Sequence, residues 1–293
     1  MAANMWKDPN CTELHVFDVS EANVKDMLAN CSPENAAKVV VCADPSKVAA
    51  ASKKIVTMLP NADIVGKVFR DPSTGLFSTM QTGTLVVDSS TTGPLISQEL
   101  AKEIATYGSR FIDAPVSGGV MGAAAGTLTF MVGADDDAAF SDAKAFLTPM
   151  AKNIIHCGKV SGGQVVKLCN NMVLAQHMIS IAEGMVMGVK LGVDPKVLAG
   201  IFNTSTARCW SGDTCNPYPG VMDNVPASRE YSGGFGSALM LKDLKLAMDA
   251  AKMANFSPPG GETATAVYSD MVNEKNMGGL DFSSVLKYLN ERK

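Results

Sequence analysis

A chain of 293 residues, 46% hydrophobic and 18% charged, is long enough for a sizeable core and two domains, and its composition argues against disorder. A formal net charge of −4 with no extended basic run argues against nucleic acid as a partner. Seven cysteines at irregular spacings without Cys-x-x-Cys, and three scattered histidines, give neither a disulfide framework nor a metal-ligand pattern, so a reduced compartment and no metal site are expected.

The first element, "TELHVFDV" (12 to 19), is a short apolar strand ending near Asp18. In a nucleotide-binding sheet a carboxylate at that point receives the adenosine ribose, and the strand that carries it is the second of the sheet. A first strand, a Gly-x-Gly-x-x-Gly turn and a helix should precede it. "MAANMWKD" has room only for the tail of that helix, and the glycine pattern occurs nowhere in the sequence. Further apolar runs, "KVVVC", "KIVTML", "TLVVD" and "RFIDAPV", alternate with helical stretches such as "SEANVKDMLANC" and "ISQELAKEIATYG". That alternation predicts crossover units and a mostly parallel sheet. Ser20 and Ser97 are placed near helix starts and Gly108 at a helix stop. "GTLTFMVG" (126 to 133) reads as another strand, and "DDDAAFSDAKAFLTPM" as a helix with three acids in its first turn.

From Ser161 to Leu191 there is neither proline nor strand signal, which predicts one helix of roughly 45 Å. Its most apolar part contains Gln176, His177, Glu183 and Lys190, so it is expected to be a core helix, not a membrane span. Methionines such as Met172, Met178, Met185 and Met187 suit core filling. Helical segments follow at "PKVLAGIFNTS", "GSALMLKDLKLAMDAAKMAN", "GETATAVYSDMVNEKN" and "FSSVLKYLNER". Between 205 and 236 lies an irregular Pro-, Gly- and Ser-rich stretch, and long loops inside a compact domain are usually functional. The expected architecture is therefore an α/β, Rossmann-like, N-terminally incomplete doubly wound domain (1–160) and an all-helical domain (161–293), joined by the long helix.

Four constellations could carry chemistry. "GGQVVKLCNN" sets Lys167 and Asn171 four residues apart, on one helix face. A lysine there can act as acid or base with an amide to orient it, or can be a solvated helix-start lysine. "DAPVSGG" places Ser117, Gly118 and Gly119 after a strand, where unhindered amides suit a carboxylate; an ordinary Pro/Gly turn is the alternative. "MLPNAD" and "DSSTTGP" put Leu59, Pro60, Ser90 and Thr91 at strand ends that either rim a cofactor cleft or simply turn the chain. In "LKDLKLA", Lys242 and Asp243 read on their own as a solvated helix face.

Together these motifs resemble the β-hydroxyacid dehydrogenase family over nearly the whole chain, nearest its branch acting on 3-hydroxyisobutyrate in eukaryotic mitochondria. "DAPVSGG" looks like the substrate motif, "GQVVKLCNN" like the catalytic motif, "KDLKLA" like the cofactor-contacting helix, and "RCWSGDTCNPYPGVM" (208 to 222) like an irregular segment typical of that branch. The resemblance implies Lys167 as catalytic acid/base and Asn171 beside the substrate. It implies Ser117, Gly118 and Gly119 at the substrate carboxylate, and Asp18, Leu59, Pro60, Thr91 and Lys242 at the cofactor. Asp18 favours NAD over NADP. Ile64 stands where such relatives have an asparagine and is given no role. Trp210 is expected to pack within its loop.

The implied reaction oxidises a small hydroxy acid, 3-hydroxyisobutyrate, to its semialdehyde with hydride transfer to NAD. A homo-oligomer, dimer or tetramer, is expected from the Ala- and Met-rich long helix, and a mitochondrial matrix location from the resemblance, although no targeting segment stands in this chain. Two alternatives remain: a catalytically impaired short form retained as a binding or assembly partner, and a reductase of a related small semialdehyde. An absent interior strand would leave its neighbours with unpaired backbone groups.

Overall fold

The computed structural model describes residues 1–291, so positions 292 and 293 of the expected helical domain lie outside the described residues. The chain divides into two compact units, Met1–Lys167 and Leu168 onward.

In the first unit a 3-10 helix (Ala2–Lys7) precedes β1 (Leu14–Val16), α1 (Glu21–Ala29), α2 (Pro33–Ala36), β2 (Val39–Val41), α3 (Pro45–Ala51), β3 (Lys54–Thr57) and α4 (Ala62–Arg70). There follow β4 (Leu85–Asp88), α5 (Pro94–Ala105), β5 (Arg110–Asp113), β6 (Val116–Ser117), α6 (Gly119–Ala125), β7 (Leu128–Val132), α7 (Asp137–Leu147) and β8 (Ala151–His156). Polar residues fix the helix starts: the side chains of Ser20, Asp44, Asn61 and Asp136 each accept a backbone N–H of the first turn they precede. Ser97 does not cap; it is buried inside α5, whose N-cap is Gly93 at φ 90°. Of the three acids expected in the first turn of α7, Asp136 caps, Asp137 enters the turn, and Asp135 accepts the N–H of Val160.

Strands β3, β4 and β5 pair in parallel, and their alternation feeds two cores. Ile55, Val86 and Phe111 face Val65, Phe69, Leu100 and Ile104 of the flanking helices. Val87 and Ile112 face Phe130, Leu147 and Met150 on the other side. Each such side chain contributes about 1.5–3 kcal/mol by burial.

The sheet is not continuous. Among the described residues β1 pairs with β2 only, and β3 with β4 only. Lys53 and Thr57 carbonyls accept from Leu85 and Ser89, so the intervening Lys54 and Val56 turn their backbone groups to the opposite edge. Likewise Leu14 N–H and Val16 C=O engage Lys38 and Cys42, which leaves His15 facing the other way. Yet Leu14 and Val56 border the same core. Among the described residues, β1 and β3 thus each present one edge without a strand partner.

The second unit is helical. α8 (Gly162–Lys190) begins in the first unit and runs 29 residues, about 43 Å. α9 (Pro195–Thr204), α10 (Trp210–Asp213), α11 (Ser237–Met253), α12 (Pro259–Asn273) and α13 (Val285–Glu291) follow. Met178, Ala182 and Met185 of α8 pack with Met240 and Leu244 of α11, and with Tyr268 and Met271 of α12. That packing accounts for an apolar composition that by length alone would also suit a membrane-crossing helix. Two expectations fail here: Met187 is 63% exposed instead of filling core, and Trp210 is 48% exposed, lying parallel to Phe282 with ring centroids 6.5 Å apart.

Candidate functional site

The carboxyl ends of β3, β4 and β5 place Thr57, Asp88 and Asp113 in one register row, all buried. Carboxyl groups in a sheet interior are costly unless they are hydrogen-bonded. Asp88 Oδ1 accepts from Thr57 Oγ1 (2.7 Å), Ser90 Oγ (2.6 Å) and Ser90 N–H (3.1 Å). Among the described residues its Oδ2 has no hydrogen-bond partner, nor do the buried Ser89 Oγ and Thr92 Oγ1. Burial raises the Asp88 carboxyl above its usual range. The Ser90 hydroxyl in turn accepts Leu59 N–H (2.9 Å), which stitches the turn after β3 to the turn after β4. Leu59 and Thr91 are half-buried on this crest, and Pro60 is exposed.

Asp113 reaches the start of α8. Its Oδ1 accepts Ser161 N–H (2.6 Å) and its Oδ2 accepts Gln164 N–H (2.9 Å), capping the helix from a distant strand. Free amides and the macrodipole favour an anion there. Burial nevertheless pushes the Asp113 carboxyl up to about 7, with the Asp88 charge adding in the same direction. The contact is close enough to require glycine: a Cβ on Gly163 would lie 2.1 Å from the Met131 carbonyl oxygen and 2.9 Å from Asp113 Oδ2.

The opening of α8 buries polar side chains beside Leu168 and exposes valines. Gln164, Lys167 and Asn171 are buried at 0%, 8% and 2% exposure, while Val165, Val166 and Val173 are 40% or more exposed. Charged and amide side chains rarely take the inner stripe of a helix unless they are paired or used. Gln164 crosses to the turn after β4: its Oε1 accepts Thr92 N–H and Gly93 N–H, both at 3.1 Å, and its Nε2 donates to Ser90 C=O at 2.8 Å. Lys167 and Asn171 follow on the same face, one turn apart.

In the second unit Asn171 is clamped. Its Nδ2 donates to Asp243 Oδ2 at 2.6 Å, and its Oδ1 accepts from Asn170 Nδ2 at 3.1 Å. Asp243 is only 3% exposed. The reading of Lys242 and Asp243 as a solvated pair is therefore corrected: Lys242, its side chain 26% exposed, approaches Asp243 Oδ1 at 3.2 Å, outside hydrogen-bond geometry, while the carboxylate points inward to the amide.

Ser117 is half-buried in β6, which pairs antiparallel with β7, and Gly118 and Gly119 follow at φ 133° and 61°. Both glycines are exposed, and a Cβ on Gly118 would press on Leu128 at 3.1 Å besides straining the backbone. Asp18 lies just past β1, on the other piece of the sheet. Its exposed carboxylate is oriented by Ser20 N–H (2.8 Å) and Asn23 Nδ2 (3.2 Å). The structure thus joins Leu59 and the Thr91 turn to the start of α8 and joins Asn171 to the Lys242–Asp243 pair.

Sequence reasoning missed Asp113 and Gln164 and read Asp243 as solvated, although each stands inside a motif it singled out. No local signal marked their partners, which lie 48 to 74 residues away along the chain.

Known proteins match along the whole length. Residues 1–158 match the model of the NAD binding domain of 6-phosphogluconate dehydrogenase, and 161–289 that of the NAD-binding domain of NADP-dependent 3-hydroxyisobutyrate dehydrogenase. A probable mitochondrial 3-hydroxyisobutyrate dehydrogenase of Dictyostelium discoideum is 48% identical over 95% of this chain and 84% of its own. The mitochondrial 3-hydroxyisobutyrate dehydrogenase of Homo sapiens is 45% identical over 99% of this chain and 83% of its own. Among solved structures, a 3-hydroxyisobutyrate dehydrogenase of Mycobacterium tuberculosis with L-serine superposes with a TM-score of 0.87, at 35% identity over 98% of this chain and 94% of its own.

Proposed function

The chain belongs to the β-hydroxyacid dehydrogenase family, and from that premise we propose that it oxidises 3-hydroxyisobutyrate with NAD, using Lys167 as the acid/base. The observation that carries the site assignment is the buried Lys167–Asn171 pair on one helix face.

The residues present fit the two ends of the cofactor. Asp18 supplies an oriented carboxylate for ribose hydroxyls and would repel a 2′-phosphate. Leu59, Pro60 and Thr91 belong to the turns at the strand ends, where buried polar atoms remain unpartnered, and the family resemblance adds Lys242. A glycine turn for the diphosphate is not among residues 1–293. NAD, when bound, accepts the hydride that leaves the alcohol carbon. As that C–H bond breaks and the carbonyl forms, Lys167 Nζ takes the hydroxyl proton. One N–H of Asn171 Nδ2 is held by Asp243, leaving the second for a substrate oxygen. Ser117 and the exposed amides of Gly118 and Gly119 receive the substrate carboxylate.

Reduction of NAD by the purified chain with 3-hydroxyisobutyrate tests the reading. Lys167→Ala should lower kcat by about 10²–10⁴ while the thermal midpoint stays close to that of the parent. A folded, NAD-binding parent without turnover would remove the activity, and an unaffected Lys167→Ala would remove the role of the lysine. L-serine shares the hydroxymethyl and carboxylate groups, so the ratio of kcat/KM for the two alcohols ranks them. The comparisons favour neither the impaired-partner nor the reductase alternative. A mitochondrial location is part of the proposal, taken from the relatives and tested by fractionation of the source cells. So is a homo-oligomer formed through the exposed apolar residues of α8 and α9.

A further inference from the structure

We propose that Gln164 is a positioning residue that locks the Thr91 turn to the helix carrying Lys167; this rests on the dehydrogenase reading above. Its amide is fully buried and makes three hydrogen bonds to backbone, accepting from Thr92 and Gly93 and donating to Ser90. The orientation is unique. A flipped amide would set NH₂ against two N–H groups and oxygen against a carbonyl, losing all three bonds. The backbone of the same residue is pinned from the other side, since its N–H donates to Asp113 Oδ2.

Thr91 lies between two residues held by one side chain, and Lys167 lies three residues further along the same helix face. The turn assigned to the cofactor and the helix assigned to proton transfer therefore share one joint. Displacement of about 1 Å between reacting groups can cost on the order of 10² in rate, so a joint of this kind acts on kcat more than on binding of the alcohol. A residue that only satisfied buried backbone would instead change stability and leave the chemistry of the folded fraction alone.

The test compares Gln164→Met, which keeps the length and removes the polar atoms, with Gln164→Glu, which keeps acceptors for Thr92 and Gly93. Amide exchange at Thr92 and Gly93, the acylation rate of Lys167 by a small lysine reagent, kcat, and KM for 3-hydroxyisobutyrate are measured on the full chain. We expect Gln164→Met to accelerate exchange at both amides, to alter the acylation rate, and to lower kcat about 10–100-fold with KM within about threefold. Gln164→Glu should restore protection and most of kcat, and it carries the test if the Met variant does not fold. A folded Gln164→Met with unchanged kcat and unchanged Lys167 acylation overturns the proposal, as does a kcat loss equal to the unfolded fraction. If the parent itself fails to turn over, the dehydrogenase reading falls separately, and exchange with acylation still decides whether Gln164 couples the turn to Lys167.

Discussion

Asp243 and Asp113 are both buried carboxyl groups, and their neighbours give them different work. Asp243 holds the Asn171 amide in one orientation through a 2.6 Å contact. Removing it leaves a buried N–H unpaired, at a cost of about 1–3 kcal/mol. Asp243→Ala should therefore lower the thermal midpoint and reduce kcat/KM about 10–100-fold, whereas Asp243→Asn, which still offers an oxygen, should recover part of both. Steady-state kinetics beside thermal melts separate these outcomes, and equal activity of the parent and Asp243→Ala would refute the clamp. Asp113 bears on stability instead. Its carboxyl is raised from 3.8 to about 7 chiefly by burial, so the native state holds a proton that the unfolded chain sheds near pH 4. The stability this contributes is fully present below about pH 4 and is lost as pH rises through about 7, a change on the order of 4 kcal/mol. Asp113→Asn has no such titration. Its unfolding free energy relative to the parent should improve steadily from pH 4 to 7, and a constant difference across that range would show that Asp113 does not titrate there.

At the scale of elements, the long helix shows what could be read from sequence. The absence of proline and strand signal located α8, and the four-residue spacing singled out Lys167 and Asn171. Which face is inward could not be read, because valines on the exposed side and polar residues on the buried side cancel the usual apolar stripe. The partners of the buried groups were hidden for a related reason: Asp113 caps a helix 48 residues on, and Asp243 answers an amide 72 residues earlier. Spacing along the chain carries no trace of such contacts. Strands β1 to β5 and β7, by contrast, were legible because short apolar runs are local, and so was the helix start at Ser20, whereas β6 and β8 were not read. The far end of α8 and the following α9 expose Met187, Leu191, Val197 and Ile201 at 56% or more. The homo-oligomer proposed above would use this apolar exposure, and a self-complementary patch would close a symmetric dimer. Met187→Glu with Ile201→Glu should shift the chain toward monomer in sedimentation without unfolding the helical core, which neither residue enters. A parent that sediments as a monomer at tens of micromolar would contradict the assignment.

For the whole molecule the broken sheet matters most. Among the described residues β1 and β3 each present one unpaired edge, with His15 on one and Lys54 and Val56 on the other turning backbone groups away from their existing partners. Leu14 and Val56 meet in the same core, so a parallel strand set between them would extend both ladders and complete the order β2-β1-strand-β3-β4-β5. In a doubly wound sheet that position also delivers the glycine turn and helix start that receive a diphosphate. Stability and cofactor affinity would then both depend on a strand at that position. Placing an apolar strand and a Gly-x-Gly-x-x-Gly turn ahead of Met1, joined to Ala2–Lys7 as the tail of its helix, should raise the thermal midpoint by on the order of 5–10 °C, corresponding to a few kcal/mol. The same extension should make the midpoint rise further with NAD, by the amount expected for a ligand that binds only the native state. Replacing the glycines of the added turn with alanine separates the two effects: the strand's stabilisation should persist while the response to NAD falls back to that of the chain without the added turn. An extended chain that gains neither would mean that the two edges are not complementary to one strand. If stability rises without an NAD response in the glycine form, the sheet argument survives and the cofactor argument does not.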